Sequence, residues 1–303
     1  MRTDHLRAGF LVHAAGLFFA LGFLTNPLQA QTQAPATEQN PLSSQSAKRQ
    51  INLAGRQAML SQKIAALVCL SELGRQSDAK GLEVLQLRWV FRRTLRAFKD
   101  GDPILGIAQE TNANSVKQIE TIAASWKIKA DSMDNWALFF SSAVPEIYNL
   151  SLQVLNGTEG LVRGMQQSYT ESKLVSPSTL TGLRLAGRQR MLSQRMTKEF
   201  CMVHSDYKPE DNRTKLKGTL QEFEDALADL KNGSQELGLE KPPSMITDHL
   251  DLVEREYSLL KQTLAKALTG ETITKSDLDL VEQQSTKVLL AADEVVYVYE
   301  QLN

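Results

Sequence analysis

The chain has 303 residues, enough for two domains of ordinary size, and its 42% apolar and 23% charged content is that of a soluble globular protein. Nine prolines and an aromatic share of 6% lean toward helix over sheet. A formal charge of −1 gives no global attraction to nucleic acid or to an anionic membrane, so any electrostatic argument has to be local.

The N-terminus reads as a secretory signal. Arg2 and Arg7 precede an apolar run from Ala8 to Leu24, Asn26-Pro27 breaks it, and Ala30 offers a small residue for cleavage. The alternative is an uncleaved anchor, for which the run is near the short end of a spanning helix. Removing residues 1–30 takes away Arg2, Arg7 and Asp4 and moves the formal charge from −1 to −2. No second apolar run of spanning length follows. Residues 31–47 (QTQAPATEQNPLSSQSA) are Pro-, Ser- and Gln-rich and predict a disordered tether.

From there the sequence predicts an all-α protein of eight helices. The first covers about Lys48–Gly74, the second starts near Lys80, and Lys99-Asp100-Gly101-Asp102-Pro103 stops it. The third and fourth cover about Asn112–Lys129 and Asp134–Tyr169, with Pro145 expected to kink the latter or mark its true start. Beyond Pro177 come about Ser178–Asp206, Asp211–Asn232, Ser244–Leu268 and Lys275–Leu302. Apolar residues recur at three and four, as in Leu216, Leu220, Phe223, Leu227 and Leu230.

The second half repeats the first. A shift of 132, set by Gly55 and Gly187, runs ungapped through two helices. It pairs Cys69 with Cys201, Phe91 with Phe223, and Lys99-Asp100-Gly101 with Lys231-Asn232-Gly233. The third and fourth helices match only with a drift of a few residues. Two tandem antiparallel four-helix bundles follow, over 48–170 and 178–303.

The sharpest repeat is LAGRQAMLSQKI at Leu53–Ile64 and LAGRQRMLSQRM at Leu185–Met196. On a helix the second copy sorts into three stripes. Leu185, Gln189, Leu192, Met196 and Phe200 should face the bundle's own core. Arg184, Arg188, Met191, Arg195 and Lys198 form a basic stripe. Ala186, Gly187, Arg190, Ser193, Gln194 and Thr197 form a small, polar stripe suited to close contact with another helix. A guanidinium there is a poor group to bury alone, but it matches a planar oxyanion bidentately. The plain alternatives are a solvated arginine face and a Gly/Ala packing patch.

These motifs, INLAGRQAMLSQKI and LRLAGRQRMLSQRM, resemble the first helix of the PilJ/NarX-like sensor domain family. The resemblance covers about residues 48–302 and is sharp over the two motif helices. It implies periplasmic four-helix bundles in which the first helices of two bundles meet and hold nitrate or nitrite, on the motif glycine and an arginine three residues on. By position these are Gly187 and Arg190 in the second repeat, but Gly55 and Ala58 in the first. Alanine cannot pair with an anion. Either the repeats form an internal pseudo-dimer with one arginine, or two chains meet through their second repeats as a homodimer. Arg56 and Arg188 occur in both copies and read as packing or as general positive potential, with direct ligand contact the lesser alternative.

Other features leave alternatives open. Cys69 and Cys201 read as small buried hydrophobes at a repeated core position, with a disulfide as the competing reading. Arg88, Arg92, Arg93, Arg96 and Lys99 make the second helix basic, against Glu222, Glu224, Asp225 and Asp229 in its counterpart. That contrast reads as docking complementarity or as two solvated faces. His204 and His249 lack metal-ligand spacing, and no phosphate loop, HExxH or nucleophile elbow occurs, so no enzyme, metal or cofactor is expected. The expectation is a periplasmic binding protein for a nitrate- or nitrite-type anion that hands its signal to a separate membrane sensor or transducer. The competing class is a helical interaction module without a ligand.

Overall fold

A computed structural model describes residues 42–74, 77–130 and 140–302. The described residues form eight helices: α1 Ser44–Glu72, α2 Ser77–Asp100, α3 Ala113–Ala130, α4 Phe140–Glu171, α5 Pro177–His204, α6 Pro209–Asn232, α7 Ser244–Thr269 and α8 Lys275–Gln301. The signal segment, most of the tether and the predicted start of the fourth helix at Asp134 lie outside the described residues. Helix α1 begins inside the span expected to be tether. Ser43 caps it by accepting from the Ser46 amide, and Ala47 is already fully buried, so local capping and burial outweigh the polar composition. Pro145 sits within α4, near its start.

The duplication extends to details. Helices α2 and α6 correspond end to end under the shift of 132. So do two small closures after them, where Asp102 bridges Ile107 and Ser234 bridges Leu239. Gly233 stands at φ 76°, where a side chain would also meet the Lys241 amide nitrogen at 2.9 Å, so the turn requires glycine. The two cores reuse one aromatic pair: Phe91 stacks on Trp126 at 4.2 Å, and Phe223 on Tyr257 at 4.3 Å. Such pairs contribute about 1 kcal/mol each beyond their buried area.

In the first bundle α1 packs on α2 and α4, and α3 closes it against α4; α5 to α8 repeat the pattern. The most extensive helix contact of all joins the bundles, α1 along α5. The copies of the repeated motif therefore face each other within one chain.

Cys69 and Cys201 form a disulfide, with their Cα atoms 6.2 Å apart. This corrects the expectation of two separate buried hydrophobes. Equivalent positions on α1 and α5 meet only where they lie near the pseudo-twofold axis relating the repeats, and this pair does. Both residues are buried, so the bond is shielded by the packing it joins.

Candidate functional site: the seam between α1 and α5

The three stripes of α5 each find a different neighbour. The core stripe packs inward: Leu192, Met196 and Phe200 are fully buried, and Gln189 donates to the Phe223 carbonyl at 3.2 Å. The small stripe lies toward α1 and α8, where Gln194 donates to the Ser285 carbonyl at 3.4 Å. The basic stripe is not a solvated face. It lies toward α4 of the first bundle, and its last member, Lys198, is only 1% exposed.

Arg190 is 2% exposed and its guanidinium is engaged within the chain. Nη1 donates to Asp293 at 2.8 Å, and Nη2 donates to the Asn52 side-chain oxygen at 2.9 Å. Burial pulls its pKa below the ordinary arginine value, and Asp293 opposes that. Asn52 also donates to Glu300, a buried carboxylate that pairs with Arg49 at 3.0 Å. Arg190 thus closes a polar chain running from α5 through α1 to α8. Its contact with Asn52 covers the second-repeat face through which two chains would have had to meet, and the repeats pair internally.

On the other side of the seam a cavity of about 60 Å³ opens between α1, α4 and α5. A water needs roughly 10–15 Å³ by this measure, so the space suits about four waters or one small molecule. Both motif glycines, Gly55 and Gly187, line it, as does Ala58. Its charged wall is Arg163, Arg184 and Arg188 with Glu159; its apolar wall includes Ile51, Val162, Leu183 and Met191. Arg188 is drawn toward Glu222, at 2.9 Å, and lies 3.9 Å from Glu159. Arg163 also lies 3.9 Å from Glu159. Arg184 makes no hydrogen bond or close ion pair among the described residues. Burial, then the charges of Arg188 and Arg163, push its pKa down, with Glu159 acting the other way.

Of the residues singled out in the sequence, Gly55, Gly187 and Arg188 meet at this cavity. Arg190 lies across the seam from it, and Arg56 is exposed near Arg190. Arg184 was visible as a member of the basic stripe. Glu159 and Arg163 carried no signal, because they sit on a helix whose register the repeat does not fix. Lys198 donates to Gln62 at 2.6 Å and lies 5.1 Å from the centre of the Tyr148 ring, and burial pushes its pKa down to about 8. Among the described residues no cluster of His, Cys, Asp and Glu could hold a metal ion.

Two four-helix bundles are joined through their first helices, with a cavity at the joint that has one charged and one apolar wall. The family described as type IV pili methyl-accepting chemotaxis transducer N-terminal domain, PilJ, matches residues 42–137 and 183–284. The chain belongs to this family and carries its domain twice. No curated protein and no solved structure gives a significant match. Among the described residues no helix is long and apolar enough to cross a membrane.

Proposed function

We propose that the protein is a periplasmic sensory module that binds a small oxyanion of the nitrate or nitrite type at the α1–α5 seam and relays occupancy to a membrane transducer. The observation that carries this reading is the cavity bounded by both motif glycines, where cationic side chains outnumber carboxylates. Gly55, Gly187 and Arg188 belong to its wall, while Arg190 is paired with Asp293 across the seam and Arg56 is exposed near it. Export through a cleaved segment at residues 1–30 accords with the Cys69–Cys201 bond, since disulfides persist in oxidising compartments. A thermal-shift series with nitrate, nitrite, chloride and sulfate tests the reading, because a ligand held only by the native state raises its stability. No rise at millimolar anion overturns it.

A second reading, an interaction module, draws on α2. Its outward stripe carries Leu82, Leu85 and Trp89, 65%, 43% and 56% exposed, followed by the exposed Arg92 and Arg96. An apolar stripe running into exposed cations suits a partner with an acidic, partly apolar face. Loss of transducer binding on Arg92→Glu/Arg96→Glu, with no anion response in the unaltered chain, would favour this reading.

A further inference from the structure

The cavity and the Arg190 cluster are the two halves of one pseudo-symmetric arrangement, and the halves have been filled differently. Under the shift of 132, Ala58 corresponds to Arg190 and Arg184 to Asn52. Between α4 and α8 the register differs slightly. Gln62 donates to the Ser151 carbonyl and Gln194 to that of Ser285, which makes Ser151 and Ser285 equivalent and sets the shift there at 134. By that register Glu159 corresponds to Asp293 and Val162 to Val296.

On one side, then, an arginine of α5 reaches across to an asparagine of α1 and an aspartate of α8, and its guanidinium fills the space. A methyl group placed on Gly187 would lie 3.5 Å from Arg190 Nη2, whereas one on Gly55 would meet nothing within 4 Å. On the other side the bridging arginine is Ala58, the asparagine is Arg184, and the carboxylate is Glu159. The cationic group has moved to the opposite helix, and the space that a guanidinium fills at Arg190 is open.

The charges around that space nearly cancel. Glu222 draws on Arg188, Glu159 faces Arg163, and Arg184 is left as the half-buried guanidinium without a close partner among the described residues. One unbalanced positive charge beside an apolar wall favours one negative charge, and a guanidinium fork matches a planar pair of oxygens.

We propose that Arg184, and not the motif arginine Arg190, is the anion-contacting residue, and that the cavity takes a planar monoanion such as nitrate, nitrite or a short carboxylate in preference to a dianion. This rests on the anion-binding reading above and specifies its site. Val162 and Ala58 line the same cavity as Arg184, which gives the methyl group of a short carboxylate an apolar wall, so acetate and nitrate are separate arms of one test.

Calorimetric titration of the purified chain with nitrate, nitrite, acetate and sulfate provides the test. The unaltered protein should bind one monoanion per chain and leave sulfate unbound. Arg184→Gln should weaken that binding by about thirtyfold or more, the loss expected when one partner of a desolvated charge pair is removed. Ala58→Arg should abolish it, because the new side chain can pair with Glu159 and fill the cavity, as Arg190 does across the seam. This second variant copies a packing the fold already contains, so it keeps the proposal testable if Arg184→Gln does not fold. Undiminished binding in either variant, or sulfate bound as tightly as nitrate, overturns the assignment to Arg184 and leaves the anion-sensing reading standing. No binding of any of these anions by the unaltered chain overturns both.

Discussion

Opening the Cys69–Cys201 bond should cost more stability than any single side-chain deletion in the protein. The two cysteines are 132 residues apart, so the bond closes a loop of nearly half the chain. On the chain-entropy account, −2.1 − 1.5R ln n gives about −17 cal/mol/K for such a loop, or about 5 kcal/mol at 25 °C. A urea slope of about 2.5 kcal/mol/M turns this into a midpoint lowered by about 2 M. The slope itself should steepen, because an uncrosslinked unfolded chain exposes more surface. Equilibrium unfolding of the oxidised protein, the reduced protein and Cys69→Ala/Cys201→Ala measures both quantities, and the last two curves should nearly coincide. Thiol titration of the unfolded oxidised protein should find no free thiol. If the oxidised and reduced midpoints agree within about 0.3 M while that titration confirms the bond, the unfolded-state argument fails.

Lys198 carries a buried charge whose hydrogen bonds go to Gln62 and Ser151 and to no carboxylate among the described residues. Its fall from 10.5 to about 8 corresponds to about 3 kcal/mol against the charged form. Below pH 8 the lysine is protonated folded and unfolded, so the penalty is fully present. Between about pH 8 and 10.5 the folded state releases the proton first and the penalty fades. Lys198→Met should therefore stabilise the protein by about 1–2 kcal/mol at pH 7, after the lost hydrogen bond to Gln62, and by less near pH 10; a gain that does not change with pH rejects this account. Gly182→Ala would put a methyl group 2.2 Å from the Tyr299 ring, and a melting experiment should show a loss of about 1–3 kcal/mol. Asp277 caps α8 in a reciprocal box with Thr274, and the hydrogen bond from Lys266, then the Thr274 amide, hold its pKa at about 2. Because that value is depressed, its contribution is present above pH 3.8 and disappears as pH falls toward 2. Asp277→Asn should remove about 1 kcal/mol at neutral pH and flatten that part of an acid unfolding curve.

Most helices and helix ends were legible because each is set by residues within a few positions: a cap, a glycine, a proline, an apolar period. The start of α1 at Ser44, ahead of the expected Lys48, was not, because it depends on the burial of Ala47. The duplication was legible for a related reason, since an ungapped shift over α1 and α2 leaves no choice of register. What depended on α4 was not legible. Its match to α8 runs at an offset of 134 and not 132, so Glu159 and Asp293 could not be recognised as equivalents before Ser151 and Ser285 were seen in their places. The basic stripe of α5 was visible as a stripe, but whether it faced solvent or α4 depends on how the bundles dock. Lys198, Arg184 and the disulfide all follow from that docking. Arg190 was legible as a contact residue, and its partners Asn52 and Asp293 were not, because they come from two other helices.

The two bundles are covalently continuous, so both sides of their joint are encoded separately in one chain. In a dimer of identical chains, every substitution at the joint is made twice, and an alanine at position 58 would remove both arginines together. Fusion into one chain lets the halves diverge. Arg190, Asn52 and Asp293 serve as a fixed clasp, while Ala58, Arg184 and Glu159 remain open to change. On the proposed reading such a chain carries one anion site at its joint, where a dimer of identical chains would carry two.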